Sequence, residues 1–311
     1  MSQTDAIDAA TCALYEQVRV SPRHAALIRR VESSQEATIE APAPLVVVMP
    51  GAFHAQYPHT GADGKRVLEL ARELGWPAEV VPAPSLGSMA ENAAILAEFL
   101  TSRSGKPIVL VSLSKGGSDV RAALQSAESA NHMRDVRTWV NISGIVTGTP
   151  LVKWLQDRPL RCWGAKMLLW CRRQRWACIE ELRHGPDAPL GRTLTLPAGM
   201  RAIHVAGFPS AADLSNDWAR RGHARLAPLG PNDGGGILLR DLLALPGEIY
   251  PVRGADHYLN PRWDVRPVLR RILIDAARPS PGPQVHGNAQ QHPGDDVNGV
   301  MLLGGERGVE D

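Results

Sequence analysis

The chain has 311 residues, of which 44% are hydrophobic and 21% are charged. These proportions allow the packed core of one large domain or of two small ones, and they exclude a wholly disordered chain. The formal net charge is +2, so bulk charge gives no support for a nucleic-acid partner.

The N-terminus and the cysteines indicate the compartment. Residues 1–20 contain three acidic residues and lack the apolar core of a secretory signal. A membrane-spanning helix needs a run of about 18 apolar residues, and the sequence contains no such uninterrupted run. We therefore expect no stable membrane insertion. The cysteine spacing matches neither a zinc site nor the disulfide framework of a secreted protein; the four are Cys12, Cys162, Cys171 and Cys178. We therefore expect a cytoplasmic protein with reduced thiols, and a disulfide within residues 162–178 is a minor alternative.

Residues 1–43 are weakly patterned and are interpreted as an N-terminal extension. They predict one helix over about residues 5–31. An extended lead-in follows, because the prolines of Glu40-Ala-Pro-Ala-Pro44 block a helix. The short run Leu45–Met49 is apolar on both faces, which is typical of a strand in a buried parallel sheet.

Strands and helices alternate along the rest of the core. Further strands are predicted over residues 78–81, 107–112, 136–142, 201–206 and 248–252, and helices over about residues 64–75, 88–100, 115–129 and 264–277. The proline inside the last strand suits the edge of a sheet. This alternation predicts an α/β fold with a mostly parallel sheet and helices on both faces.

Two stretches interrupt the alternation. Residues 150–198 are far longer than a usual connection, and we interpret them as a helical cap or lid inserted between core residues 44–149 and 199–278. Residues 279–311 are rich in Pro, Gly, Asn, Gln and Asp and have no period, which predicts a disordered tail.

The turn between the strand at 107–112 and the following helix carries the strongest signal for chemistry. A serine hydroxyl becomes a nucleophile when a tight strand-to-helix turn aims it at a base, and that turn requires small residues two before and two after it. Ser114 meets this requirement with Ser112 before it and Gly116 after it. Centring the turn on Ser112 instead would put Leu110 at a crowded position, so Ser114 is preferred.

With this motif, residues 45–277 resemble the α/β-hydrolase superfamily, and within it the lipases and esterases. The chain departs from the usual Gly-x-Ser-x-Gly pattern by having Ser112 in place of the first glycine. The resemblance implies two backbone donors for an oxyanion. One is the N–H of Lys115 at the start of the helix. The other lies in the loop after the first strand, at Ala52 or, with an offset of one, at Phe53.

The resemblance also implies the order nucleophile, acid, histidine. His257 lies in the segment Gly254–Tyr258, just after the last predicted strand, and is the preferred base, with His223 as a weak rival. Asp233, in the turn Asn232-Asp-Gly-Gly-Gly236, is the preferred acid, and Asp213 is the alternative. Asp256 is adjacent to His257, but neighbouring side chains in an extended loop diverge, so we expect it to point away.

The 150–198 segment is basic and rich in tryptophan. Between Lys153 and Arg183 there are eight Lys or Arg residues against three Asp or Glu residues. One interpretation is a cap whose apolar face covers an acyl pocket, with a solvated basic face outside. A second is weak interfacial contact with anionic lipid or with an acyl-carrier partner.

We therefore expect a serine hydrolase that cleaves a small-molecule carboxylic ester or thioester through an acyl-enzyme on Ser114, Asp233 and His257. This chemistry requires no metal and no cofactor. Two alternatives stay open: acyl transfer to an alcohol or amine on the same triad, and a non-catalytic binding protein with a hydrolase-like fold.

Overall fold

The computed structural model describes residues 3–33, 42–171 and 173–278. Within them, six parallel strands form one sheet in the order β2-β1-β3-β4-β5-β6. The strands are β1 Leu45–Met49, β2 Ala78–Val80, β3 Ile108–Leu113, β4 Val136–Ile142, β5 Arg201–Phe208 and β6 Glu248–Arg253. All six predicted strands are therefore present, and β6, whose Pro251 cannot donate to a neighbouring strand, lies at an edge as predicted.

The helices surround this sheet. In chain order they are α1 Gln3–Val20, α2 Pro22–Glu32, α3 Lys65–Glu73, α4 Met89–Thr101, α5 Lys115–Gln125, α6 Ala127–Ala130, α7 Leu151–Gln156, α8 Pro159–Cys171, α9 Ala177–Glu180, α10 Asp217–Leu226 and α11 Arg266–Ala276. The Ser88 hydroxyl accepts the N–H of Glu91, so the predicted capping box begins α4.

Both faces of the sheet are buried because successive side chains of a strand point to opposite faces. Along β1, Val47 and Met49 join one apolar cluster, whereas Val46 and Val48 join another. The first cluster includes side chains of α1, α4 and α5, and the second includes those of α2, α3 and α11. This two-faced covering confirms the predicted architecture.

Two predicted helices are divided in the structure. The single N-terminal helix is wrong: α1 ends at Val20 and α2 begins at Pro22, because the ring of Pro22 forces Ser21 into an extended conformation with ψ 125°. The break allows α1 and α2 to pack on opposite faces of the sheet. The helix predicted over 115–129 is also divided, because the extended residue Ser126 ends α5 and caps the short α6.

The 150–198 segment contains α7, α8 and α9. Leu169 is the only buried residue of α8. Within the part of the chain that the structure describes, none of the helices has the length and hydropathy that a membrane span requires. The predicted domain boundaries stay predictions, and the tail predicted for 279–311 lies outside the described residues.

Candidate active site

Ser114 lies alone between the last residue of β3 and the first residue of α5. Its backbone has φ 48° and ψ −118°, a region that non-glycine residues adopt only when the surrounding structure imposes it. Gly116 is part of that constraint, because a Cβ there would lie 2.5 Å from the Met49 carbonyl oxygen and 2.7 Å from that of Pro50. The turn is therefore tight, as the sequence predicts, and glycine is required two residues after Ser114.

Ser112 has a different environment from Ser114. It is fully buried, and its Oγ donates to Asn141 Oδ1 (2.9 Å) and accepts from Trp139 Nε1 (2.8 Å). Leu110 is a core residue of β3, as predicted. These contacts occupy the Ser112 hydroxyl below the turn, whereas Ser114 is partly exposed.

His257 and Asp233 meet Ser114 in a chain of two hydrogen bonds. The Nδ1–H of His257 donates to Asp233 Oδ2 at 2.6 Å, and Nε2 lies 3.0 Å from Ser114 Oγ. The carboxylate can only accept, so it holds the proton on Nδ1 and leaves the Nε2 lone pair directed at the serine. The structure thus brings together the three residues that the sequence places in different loops.

The glycine turn that contains Asp233 provides backbone N–H groups that stabilise the charge of its carboxylate. Oδ1 accepts the backbone N–H groups of Gly235, Gly236 and Ile237 at 2.9–3.0 Å, while the side chain is fully buried. The Asp233 carbonyl accepts the His257 N–H at 2.7 Å, which ties the two loops together. Both oxygens of the buried carboxylate therefore have partners.

The pKa values of the buried pair are shifted in opposite directions. Burial acts to raise the pKa of Asp233, but the charge of His257, its hydrogen bond and the backbone N–H groups outweigh burial and hold the pKa below its usual value. Burial acts to lower the pKa of His257, and the charge and hydrogen bond of Asp233 outweigh it and raise the pKa. The pair thus favours ionised Asp233 and makes His257 a stronger base.

Gly235 sets the position of the imidazole. A Cβ on this residue would lie 2.0 Å from Cγ of His257, so the ring packs directly on the glycine backbone. Only glycine allows this approach. The sequence shows the glycines of the turn, but not which one the histidine contacts.

Asp213, Asp256 and His223 take no part in the hydrogen bonds that join Asp233, His257 and Ser114. Oδ2 of Asp213 accepts the N–H and Oγ of Ser210 at 2.9 and 2.6 Å in a capping box. Asp256 accepts the N–H and Oγ of Ser215 at 2.7 Å each, and its charge also acts to raise the pKa of His257. His223 is buried, and its Nε2 has no hydrogen-bond partner within the described chain.

The loop after β1 lies against the serine turn. A Cβ on Gly51 would be 3.3 Å from Cβ of Ser114 and 3.0 Å from the Leu113 carbonyl oxygen. The N–H groups of Ala52, Phe53 and Lys115 have no hydrogen-bond acceptor within the described chain. They are available to a ligand oxygen, and the choice between Ala52 and Phe53 stays open.

His54 supports this loop, a role that the sequence did not indicate. Its Nδ1 lies 2.9 Å from the Gly51 carbonyl oxygen and 3.1 Å from Ser85 Oγ. The imidazole thus bridges the residue before Ala52 and the loop that precedes α4. The close spacing of Gly51 and His54 was the only signal for this contact.

The comparisons with solved structures identify the fold. The metagenomic carboxyl esterase MGS0156 aligns with 86% of this chain and 90% of its own, with a TM-score of 0.55 and 18% identity. The mature lipase BlEst2 of Bacillus licheniformis aligns with 77% of this chain and 93% of its own, with a TM-score of 0.53 and 19% identity. The chain has the α/β-hydrolase fold. No protein-family model matches it, and no curated protein sequence matches it significantly.

Helices α8 and α9 pack over the loop that holds Ala52. One apolar cluster contains Ala52 and Phe53 together with Leu169 of α8 and Cys178 of α9; its other members are Leu86, Trp176 and Ile179. The 150–198 segment therefore supplies apolar side chains close to the serine turn.

The side chain of Lys115 is buried in the interior of the protein. Its Nζ lies 2.6 Å from Asp119 Oδ1, and both side chains are almost fully buried. Asn92 of α4 donates to the other carboxylate oxygen at 2.9 Å. Burial raises the pKa of Asp119 to about 6, against the opposing effect of Lys115. A buried ion pair thus fixes the first turn of α5 directly beside Ser114.

The neighbouring strands β3, β4 and β5 share a buried polar network that the sequence does not reveal. Asn141, which accepts from Ser112, donates to His204 Nδ1 (3.2 Å), and His204 Nε2 donates to the Pro246 carbonyl (2.9 Å). Burial lowers the pKa of His204 to about 4, so the ring is neutral at pH 7. His204 therefore links three strands and does not act at Ser114.

The residue types of the site indicate no metal ligand set. Among residues 3–33, 42–171 and 173–278, no group of three or more His, Cys, Asp or Glu side chains has an arrangement that could hold a metal ion. The chemistry available at Ser114 is that of a hydroxyl, an imidazole, a carboxylate and free backbone N–H groups.

Proposed function

We propose that the chain is a serine hydrolase that cleaves a carboxylic ester or thioester through an acyl-enzyme. The observation that carries the proposal is the chain of hydrogen bonds from Asp233 through His257 to Ser114, 2.6 and 3.0 Å long, at a strained strand-to-helix turn. The fold supports it, because this turn is where such folds carry a nucleophile.

In the first half of the reaction, Ser114 Oγ attacks the acyl carbon as His257 Nε2 takes its proton. The N–H groups of Lys115 and of Ala52, or Phe53, stabilise the resulting oxyanion. The bond to the leaving alcohol or thiol then breaks, and His257 returns the proton to that group. The acyl chain stays on Ser114 as an ester.

In the second half, water takes the place of the leaving group. The water oxygen attacks the acyl carbon while His257 Nε2 accepts a proton from the water. The bond between the acyl carbon and Ser114 Oγ then breaks, and His257 passes the proton to Ser114 Oγ. Asp233 stays ionised and stabilises the imidazolium in each half. No redox change and no external group is needed.

The substrate class follows from the surroundings of Ala52. Leu169, Trp176 and Ile179 share an apolar cluster with Ala52 and Phe53, so we propose an apolar acyl group and not a charged one. The titles of the two similar structures name a carboxyl esterase and a lipase, which supports the same class. We retain the cytoplasm as the proposed compartment, in line with the four free cysteines.

The test is hydrolysis of p-nitrophenyl esters of increasing acyl length and of the matching thioesters. We expect Ser114→Ala and His257→Ala each to lower kcat by at least about 10⁴-fold, and Asp213→Asn to leave the rate near that of the wild type. Near-normal activity of His257→Ala would make the assignment of the base wrong. Faster release of the acyl group to added alcohol than to water would favour acyl transfer instead.

A further inference from the structure

Helix α8 exposes an apolar face that nothing in the described chain covers. Leu169 points inward, while five large hydrophobic residues of the same helix are exposed: Leu160, Trp163, Met167, Leu168 and Trp170. Trp163 is 66% and Trp170 72% exposed. We call these five side chains the outer face of α8.

This exposure is concentrated and not scattered. Ten large hydrophobic residues are exposed in the described chain, and half of them lie on this one helix of 13 residues. Single exposed apolar residues are ordinary on a soluble protein, but a contiguous patch indicates a binding surface.

The surroundings of the outer face are positively charged. Residues 158–179 include six Lys or Arg residues and no Asp or Glu. Five of these cations are exposed and form no ion pair with any described carboxylate: Arg158, Arg161, Lys166, Arg173 and Arg175. Arg158 and Arg161 lie over the ring of Trp154, with the guanidinium carbons 4.2 and 5.2 Å from its centroid. No described carboxylate pairs with any of these five charges, so the surface around the outer face of α8 is cationic.

The chemistry of this surface selects its partner. Tryptophans beside aliphatic side chains suit the boundary between lipid headgroups and acyl chains, and a rim of Lys and Arg is attracted to anionic headgroups. The long basic side chains can reach the headgroups while the apolar side chains enter the acyl region. We propose that the outer face of α8 docks on an anionic lipid surface, parallel to the membrane plane and without spanning it.

The opposite side of α8 connects this surface to the serine turn. Leu169 belongs to the apolar cluster that contains Ala52 and Phe53, so the docked helix lies between the lipid and the loop beside Ser114. The binding itself does not depend on the proposed chemistry of Ser114 and can be measured without it.

The experiment is co-sedimentation of the Ser114→Ala chain with vesicles of phosphatidylcholine, with and without phosphatidylglycerol. Ser114→Ala prevents hydrolysis of the lipid, so failure of the proposed enzyme activity and failure of docking are separate results. We expect binding to the anionic vesicles, weak binding to phosphatidylcholine alone, and loss of binding as salt is raised. Tryptophan fluorescence should shift to the blue on binding.

Matched variants assign the surface. Trp163→Ala with Trp170→Ala should lower the partition coefficient roughly tenfold or more, and Arg161→Gln or Lys166→Gln about fivefold each. Trp218→Ala is the control, because Trp218 is also 72% exposed but lies on α10. Because all these side chains are exposed, we expect unchanged melting temperatures.

Three results would overturn the proposal. They are equal binding to neutral and anionic vesicles, an equal loss with Trp218→Ala, and no vesicle binding at all. In the last case, saturable binding of an acidic acyl-carrier protein, lost in the Trp163→Ala and Trp170→Ala variant, would assign the surface to a protein partner.

Discussion

At the scale of single residues, the site depends on close approaches that only one residue type allows. Gly116 lies against the backbone of β1, and Gly235 lies against the ring of His257. Asp233 places the proton on one nitrogen of that ring. Gly235 and Asp233 contact His257, and Gly116 contacts the backbone of β1. Each can therefore be tested by a substitution that leaves Ser114 intact.

Gly235→Ala should reduce esterase activity at least about 100-fold, because the new Cβ would lie 2.0 Å from Cγ of His257 and must displace the ring. The measurement is kcat/KM for a short p-nitrophenyl ester. Gly164→Ala is the control, since a Cβ there meets nothing within 4 Å. Normal activity of Gly235→Ala would show that the imidazole does not need its observed position.

The pH dependence of activity should have an acid limb that reports His257. Because Asp233 raises the pKa of His257, the ring stays protonated up to a higher pH than a free histidine, and activity falls as the pH drops through that raised value. Asp233→Asn removes the charge, so the limb should move to lower pH while kcat falls by about 10⁴-fold. Asp213→Asn should leave both unchanged. An acid limb that does not move in Asp233→Asn would contradict the assignment.

At the scale of elements, the serine turn is held from several sides. Helix α5 begins at Lys115, whose buried ammonium pairs with Asp119 one turn later, and Asn92 ties that pair to α4. Helices α8 and α9 cover the neighbouring loop through Leu169 and Cys178. Asn92 of α4 thus helps to fix the first turn of α5, where one proposed oxyanion donor lies, and α8 and α9 cover the loop that holds the other.

Asp119→Asn should lower the free energy of unfolding by about 3–5 kcal/mol, because it leaves the Lys115 charge buried without a counter-charge. The double variant Lys115→Met with Asp119→Leu removes both charges and should recover most of that loss. Urea denaturation of the two variants measures the difference. If the double variant is less stable than Asp119→Asn, the ion pair contributes net stability. Its attraction then exceeds the free energy that burial of the two charges costs.

At the scale of the whole molecule, the sequence predicted the sheet well because buried parallel strands are short apolar runs that local pattern reveals. The order Ser114, Asp233, His257 could be predicted from these runs. Ser114 and His257 each follow a predicted strand, and Asp233 lies between two of them. The contacts of Ser112 with Trp139 and Asn141, of His54 with Ser85, and of Asn92 with Asp119 could not be predicted. They join residues distant in the chain whose side-chain directions depend on packing. The prediction of a single N-terminal helix is wrong because it follows the periodicity alone and leaves out the effect of Pro22 on the backbone of Ser21.

The central proposal for this molecule is that Ser114 is a nucleophile activated through His257. The most direct measurement is reaction with a fluorophosphonate, followed by mass spectrometry of the labelled peptide. We expect one label on Ser114 of the wild type, none in Ser114→Ala, and strongly slowed labelling in His257→Ala. A label that persists in Ser114→Ala, or a folded wild type that takes up none, would contradict the account and favour a non-catalytic binding protein with this fold.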